Sequence, residues 1–216
     1  MALTLYGSAQ SRATRVLWML AELKRSFEHV AVAWDDPFLK SPAFLRLNPA
    51  GKIPVIVDDG LALSESLAIN LYLARRYGSE GDEALYPSTL EDEARTWVWQ
   101  SWSIFEAEGP LDEIRRHTVL LPPSDRRPDV VADAARRLDP ALDMLEGVLA
   151  GSPWLVAGRF TVADLNLASV LSPSRTSLID LGRRTAIRDW LARCDARPAR
   201  IEARRALQAP PDPGAG

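Results

Sequence analysis

Residues 48–73 read NPAGKIPVIVDDGLALSESLAINLYL, and their pattern decides how the first part of the chain folds. Ile53 to Val57 is apolar and rich in β-branched side chains, which predicts a strand. Asp58-Asp59-Gly60 is a hairpin turn and Leu61 to Leu63 a short partner strand. Leu67, Ile69, Leu71, Tyr72 and Leu73 then fall in a closing helix, so this half is a ββα unit. Upstream, Leu3 to Tyr6 predicts a strand, and Ser11 to Lys24 a helix with Val16, Leu17, Leu20 and Leu23 at three- and four-residue spacings. Phe27 to Val32 predicts a second strand, which completes a βαβ unit. The expectation is an α/β domain over residues 1–79.

Beyond it, GSEGDEALYPS (78–88) mixes glycine, acids and proline, which is linker chemistry, and the linker is expected over 80–87. Everything after reads as helix, with breaks at PPSDRRP (122–128), GSP (151–153), SPS (172–174) and Arg197-Pro198, so an all-α domain is expected over 88–208. In its first helix Ala94, Val98, Trp102 and Phe105 form one stripe flanked by Trp97 and Trp99, a pattern that predicts burial on more than one side. The tail APPDPGAG (209–216) offers little apolar surface to dock and is expected to be disordered.

Composition narrows the function. The 216 residues are 47% hydrophobic and 25% charged, as in ordinary globular chains. The net charge of −3, with lysine only at positions 24, 40 and 52, leaves no basic footprint for nucleic acid. Apolar runs such as Val16 to Leu23, interrupted by Glu22, fall short of a membrane span, and MALTLYGS has no signal-peptide pattern, so a cytoplasmic location is expected. A single cysteine, Cys194, excludes a dithiol pair, and His29 and His117 lie too far apart in sequence for a His-x-x-x-His zinc pair, so no metal is expected.

Four stretches could carry chemistry. In YGSAQSRATR (6–15), Ser8 or Ser11 reads as an ordinary helix N-cap, and, the two roles not being exclusive, as a hydroxyl that donates to a thiolate placed over a helix N-terminus, where the dipole favours negative charge. In Gly51-Lys52-Ile53-Pro54-Val55, Pro54 at the head of a strand is either a trans edge-strand proline or a cis one. The cis form would turn the Ile53 N–H and C=O toward an extended peptide ligand. At Ser64-Glu65-Ser66 the serine is a cap and the glutamate a first-turn acid. Alternatively, the helix N–H groups and Ser66 suit a carboxylate while Glu65 suits an ammonium. Thr161 and Asp164 in FTVADL (160–165) form a capping box, with Phe160 on Leu165 as a hydrophobic staple, and imply no ligand.

Taken in this order, NPAGKIPV (48–55), SESLAINLYL (64–73) and GRFTVADL (158–165) resemble the cytosolic glutathione S-transferase family, from Leu3 to about Leu207. The resemblance implies a thioredoxin-like first domain, glutathione as cosubstrate and a cis bond before Pro54. It also implies backbone pairing of Ile53 with the glutathione cysteine, and Glu65 and Ser66 on the γ-glutamyl end. The Arg-apolar-apolar-aromatic run at Arg15 resembles theta-like serine enzymes and assigns the catalytic hydroxyl to Ser11, with Ser8 in reserve. The family's glycine-carboxylate contact falls on the apolar Leu39, which leaves Lys40 and Lys52 as cations by charge, while Arg12 could add positive charge at the thiolate. The electrophile site is implied between the domains, with Trp102 and Glu106, and a homodimer is implied. The expected activity is transfer of glutathione to an electrophile, or reduction of a peroxide. The alternative is a non-catalytic binding or regulatory module of the same fold. A dithiol oxidoreductase is disfavoured because Ser8-Ala9-Gln10-Ser11 stands where Cys-x-x-Cys would be.

Overall fold

The structure, a computed structural model, describes residues 3–81 and 83–208. It divides into two compact units, Met1–Glu80 with Ala196–Gly216, and Gly81–Asp195. The tail expected to be disordered, 209–216, lies outside the described residues.

The first unit runs β1 (Leu3–Gly7), α1 (Ala13–Glu22), β2 (Glu28–Ala31), a 3-10 turn (Pro37–Lys40), α2 (Pro42–Leu47), β3 (Val55–Asp58), β4 (Leu61–Ser64) and α3 (Ser66–Tyr77). The strands form one sheet in the order β2-β1-β3-β4, with β1 and β2 parallel and the other pairs antiparallel. Leu3 and Leu5 of β1 and Val55 and Ile56 of β3 are buried, as are Val16, Leu17, Trp18, Met19 and Leu20 of α1. The predicted βαβ and ββα halves are therefore present, with ends shifted by one or two residues. Asp58 belongs to β3 and not to the turn, and its carboxylate, fully buried, accepts from the Tyr72 and Tyr77 hydroxyls at 2.8 and 2.7 Å, fastening the end of α3 to the hairpin. The 3-10 turn and α2 were not expected. Each is short, and each is started by a capping side chain with proline behind it: Asp36 accepts from the Phe38 N–H and Ser41 from the Phe44 N–H.

The second unit holds α4 (Leu90–Trp102), a π-helical turn (Ser103–Glu108), α5 (Gly109–Arg115), a second π turn (Arg116–Leu120), a 3-10 turn (Pro123–Asp125), α6 (Pro128–Gly151), α7 (Val162–Val170), α8 (Pro173–Thr176) and α9 (Thr185–Asp195). Its centre is α7, every residue of which is buried. The capping box is formed: Thr161 Oγ1 accepts from the Ala163 N–H, and Asp164 accepts from the Thr161 N–H at 3.0 Å.

Two expectations differ from this packing. Ala84, Leu85 and Tyr86, inside the stretch expected as a linker, are buried in the second unit, where the Leu85 carbonyl accepts from the Val162 N–H at 2.8 Å. The last helix, α10 (Pro198–Gln208), belongs to the first unit and packs along α1, so the all-α unit ends at Asp195. Arg197 forms a bidentate pair with Glu22 at 2.7 and 2.8 Å, and the Arg200 guanidinium lies 4.3 Å from the centre of the Trp18 ring. The α4 stripe also departs from the pattern. Trp99 is buried, but Trp97, Val98 and Phe105 are 61%, 65% and 77% exposed, so the chain alone covers one side of that helix. Among the described residues, no helix is long and apolar enough to cross a membrane.

Candidate active site

Strand register brings the candidate residues of the first unit to one edge of the sheet. Tyr6 of β1 pairs with Val55 of β3, and Val55 pairs with Ser64 of β4. Because these neighbours alternate in direction, the segment leaving β1 (8–12), the segment entering β3 (48–54) and the Glu65-Ser66 pair leaving β4 all emerge together. β2 ends at the same edge, with Ala31 beside Gly7.

The turn from β1 into α1 is tight. A side chain at Gly7 would bring its Cβ within 2.5 Å of the Ala13 Cβ, so glycine lets the chain fold back on the helix. Ser11 is half-buried at this turn. Its hydroxyl accepts from the Ala13 N–H at 3.1 Å and the Ser8 N–H at 3.4 Å and donates to the Ser8 carbonyl at 2.8 Å. Ser11 thus ties the turn to the first residue of α1 without standing at its N-cap, and its proton can turn outward only by leaving that carbonyl. The Ser8 hydroxyl oxygen is buried without a hydrogen-bond partner among the described residues. Arg12 is exposed and stands at the N-cap position of α1.

The Ile53–Pro54 bond is cis, the second of the two readings open for that proline. Ile53 is half-buried and lies outside the ladder, one residue before Pro54. Asn48 braces the approach: its amide donates to the Lys52 carbonyl at 2.7 Å and its carbonyl oxygen accepts from the Ala50 N–H at 3.1 Å. Gly51, at φ +59, needs glycine twice over, since a Cβ there would lie 2.9 Å from the Leu39 carbonyl oxygen and 3.0 Å from Lys40 Nζ. The Lys40 ammonium therefore lies beside Gly51. Lys52 is exposed, and Leu39 is buried in the cluster of Val32, Phe44 and Val55.

At the third segment, Glu65 and not Ser64 is the N-cap of α3, with φ 67, a backbone region uncommon for a residue with a side chain. Glu65 is exposed, while Ser66 is buried and accepts a hydrogen bond from Arg15 Nη1 at 3.3 Å. Arg15 and Asn48 are residues that the sequence reading did not select. An arginine inside the apolar stripe of α1, and an asparagine before Pro-Ala-Gly, were the available signals.

Trp102 and Glu106 belong to the second unit. Trp102 is half-buried and meets Trp99 edge-on at 5.5 Å between ring centres; Glu106 is exposed on the first π turn.

A mixed four-stranded sheet with this cis-proline edge, joined to a helical unit, defines a thioredoxin-like fold of the transferase type. Comparisons with known proteins agree. The model of the glutathione S-transferase N-terminal domain matches residues 1–75, and that of the C-terminal domain matches residues 128–193. Glutathione S-transferase 3 of Zea mays is 35% identical over 98% of this chain and 97% of its own length. Glutathione transferase F7 of Populus trichocarpa superposes with a TM-score of 0.81 at 27% identity, covering 95% of this chain and 99% of that one. A theta class enzyme of Xanthomonas axonopodis pv. citri, solved with glutathione bound, gives 0.82 at 27% identity, covering 97% of this chain and 98% of that one. The chain belongs to the glutathione S-transferase family and is an enzyme of that kind.

Proposed function

We propose that the edge formed by residues 8–12, 48–54 and 65–66 binds glutathione as a peptide and that Ser11 donates to its thiolate. The observation that carries this reading is the strand register, which gathers a cis-proline segment, a helix N-terminus and a hydroxyl at one edge. Ile53 offers its backbone to the cysteine of the ligand, Glu65 meets the ammonium and Ser66 the carboxylate of the γ-glutamyl residue, and Lys40 and Lys52 answer the glycine carboxylate. Ser11 favours the thiolate by donating to it, while the dipole of α1 and the charge of Arg12 act in the same direction. Donation requires the Ser11 proton to leave the Ser8 carbonyl. Ser11 suits the role better than Ser8 because the Ser8 hydroxyl oxygen is buried. The activated sulfur attacks an electrophile or a peroxide.

Glutathione at a hundredfold excess over Kd should add about 2.7 kcal/mol to the stability of the wild-type protein. Ser11→Ala should leave that gain in place while lowering turnover about ten- to a hundredfold and raising the thiol pKa seen by thiolate absorbance. A melting temperature unmoved by millimolar glutathione would refute the site. A rise of the thiol pKa in Ser8→Ala alone would move the role to Ser8.

The exposed stripe of Leu90, Trp97, Val98 and Phe105 supports a second reading, that a copy of this chain covers α4 in a two-fold homodimer. Sedimentation equilibrium at micromolar concentration should give twice the mass of one chain.

A further inference from the structure

We infer that His29 is a positioning residue: through the peptide group between Gly7 and Ser8 it makes the Ser11 hydroxyl a stronger and better-aimed donor. The inference rests on the glutathione reading above and deepens it, with a side chain that touches no ligand. His29 stands on β2 in register with Leu5 of β1, and its Nε2 lies 2.9 Å from the Gly7 carbonyl oxygen. A carbonyl oxygen only accepts, so the ring carries a proton on Nε2 there. The same oxygen also accepts from the Val32 N–H, at the longer distance of 3.3 Å. His29 therefore supplies the closer of the two donors, at the point where the chain leaves the sheet for the turn.

Gly7 and Ser8 share one peptide group, whose C=O and N–H point to opposite sides of a rigid plane. His29 holds the oxygen end. The other end, the Ser8 N–H, donates to Ser11 Oγ at 3.4 Å, and the Ala13 N–H donates to the same atom at 3.1 Å. A hydroxyl carries one proton and two lone pairs. With both lone pairs of Ser11 met by backbone N–H groups, its proton has two partners: the Ser8 carbonyl, 2.8 Å from Oγ, and the sulfur of a bound thiolate. Donation into the Gly7 carbonyl polarises the peptide group and strengthens what its N–H gives. Each hydrogen bond that Oγ accepts likewise strengthens the one its proton makes, by about 10–30% per bond. The chain from His29 Nε2–H through the Gly7 C=O and Ser8 N–H to the Ser11 O–H thus ends on the thiolate, with every dipole running the same way. His29 is exposed, so water competes with its ring and the gain is modest.

The experiment follows the thiol pKa of bound glutathione by thiolate absorbance, together with kcat and KM toward a chromogenic acceptor. His29→Phe, which keeps an aromatic ring and loses the donor, should raise that pKa by about 0.3 to 0.6. Turnover below the thiol pKa should fall about two- to fourfold, as the thiolate fraction does, with KM for glutathione within about twofold. His29→Gln, whose amide N–H reaches as far as Nε2, should recover most of the loss. In a Ser11→Ala background, where the chain is already cut, His29→Phe should change the pKa by less than about 0.1. A merely structural histidine would move KM or stability and leave the pKa alone. Should His29→Phe not fold, His29→Asn, whose amide is one carbon too short, takes its place with the same expectations. A wild-type protein that fails to bind glutathione overturns the site and this inference together. An unchanged thiol pKa in Ser11→Ala overturns the role of Ser11 and, with it, that of His29. A pKa that rises in Ser11→Ala but stays within about 0.1 of wild type in His29→Phe overturns the inference alone, as does a His29→Phe rise equally large with and without Ser11.

Discussion

The helix that begins at Ser66 and the one that begins at Val162 each carry a hydroxyl residue and an acid at their start, Ser64 with Glu65 in the first unit and Thr161 with Asp164 in the second, yet their acids are placed in opposite ways. Asp164 is fully buried and accepts from the Leu155 N–H, the Thr161 N–H and the Trp190 indole N–H, all within 3.0 Å, with the Thr161 hydroxyl at 3.3 Å. Its carboxylate is consumed by the fold. Glu65 is exposed, stands at φ 67 and forms no side-chain cap to its own helix. A non-glycine residue held in a sparsely populated backbone region costs about 1–3 kcal/mol and persists where its surroundings enforce it, commonly at binding sites. Which acid becomes structure and which stays available is decided by burial and by the number of donors that converge on it, neither of which a local motif records.

The contrast can be broken by substitution. Asp164→Ala should have the largest effect, about 3 to 5 kcal/mol of lost stability in urea titration, because three buried N–H donors lose their acceptor at once. A loss below about 1 kcal/mol would mean that those donors find other partners and that the two helix starts are alike.

A somewhat smaller effect sharpens the same point through pH. Burial raises the Asp164 carboxyl from 3.8 to about 6, against the opposing pull of the hydrogen bonds from Leu155, Trp190 and Thr161. The folded state therefore holds that proton more tightly than the unfolded chain does. The stability it contributes is present in full below about pH 4 and is lost as pH rises through about 6, a span of about 3 kcal/mol. Measured as wild type minus Asp164→Asn, stability should fall by that amount between pH 4 and 7. A difference that is flat in pH would show an ordinary carboxylate.

The smallest effect is expected at the other acid. Glu65→Ala should change the stability of the ligand-free protein by no more than about 0.5 kcal/mol, as for an exposed side chain, while sharply reducing the shift produced by glutathione. A stability loss like that of Asp164→Ala would make Glu65 a structural residue and dissolve the comparison.

Much of the first unit was legible because its strands and helices carry clear periodicity: the apolar run from Ile53, the Asp59-Gly60 turn and the stripe of α1 survive in the structure with shifts of one or two residues. The 3-10 turn and α2 were not legible, since four and six residues are too few to show a helical period and only their caps announce them. At the candidate site, the residues themselves singled out the segments at 6–15, 51–55 and 64–66 and the resemblance assigned their roles, but neither gave a role to the side chains that brace them from behind. Arg15 reads as a flaw in an apolar stripe until its partner Ser66, far off in sequence, is known. The Trp-rich helix shows the limit from the other side: the spacing of Trp97, Val98, Trp99 and Phe105 says that the helix is apolar around much of its circumference, and cannot say that the described residues bury Trp99 and leave Trp97, Val98 and Phe105 exposed.

The seating of α10 on α1 has a consequence for the order in which the molecule is made. On a ribosome, the residues of the second unit, Gly81–Asp195, are all synthesised before the first unit has received its last helix. The Glu22 carboxylate and the buried face of Trp18 must wait for Arg197 and Arg200, so the unit that begins first is finished last. Domains ordinarily fold in the order of their emergence. In this chain the edge proposed to bind glutathione sits on a scaffold that closes only when α10 reaches α1.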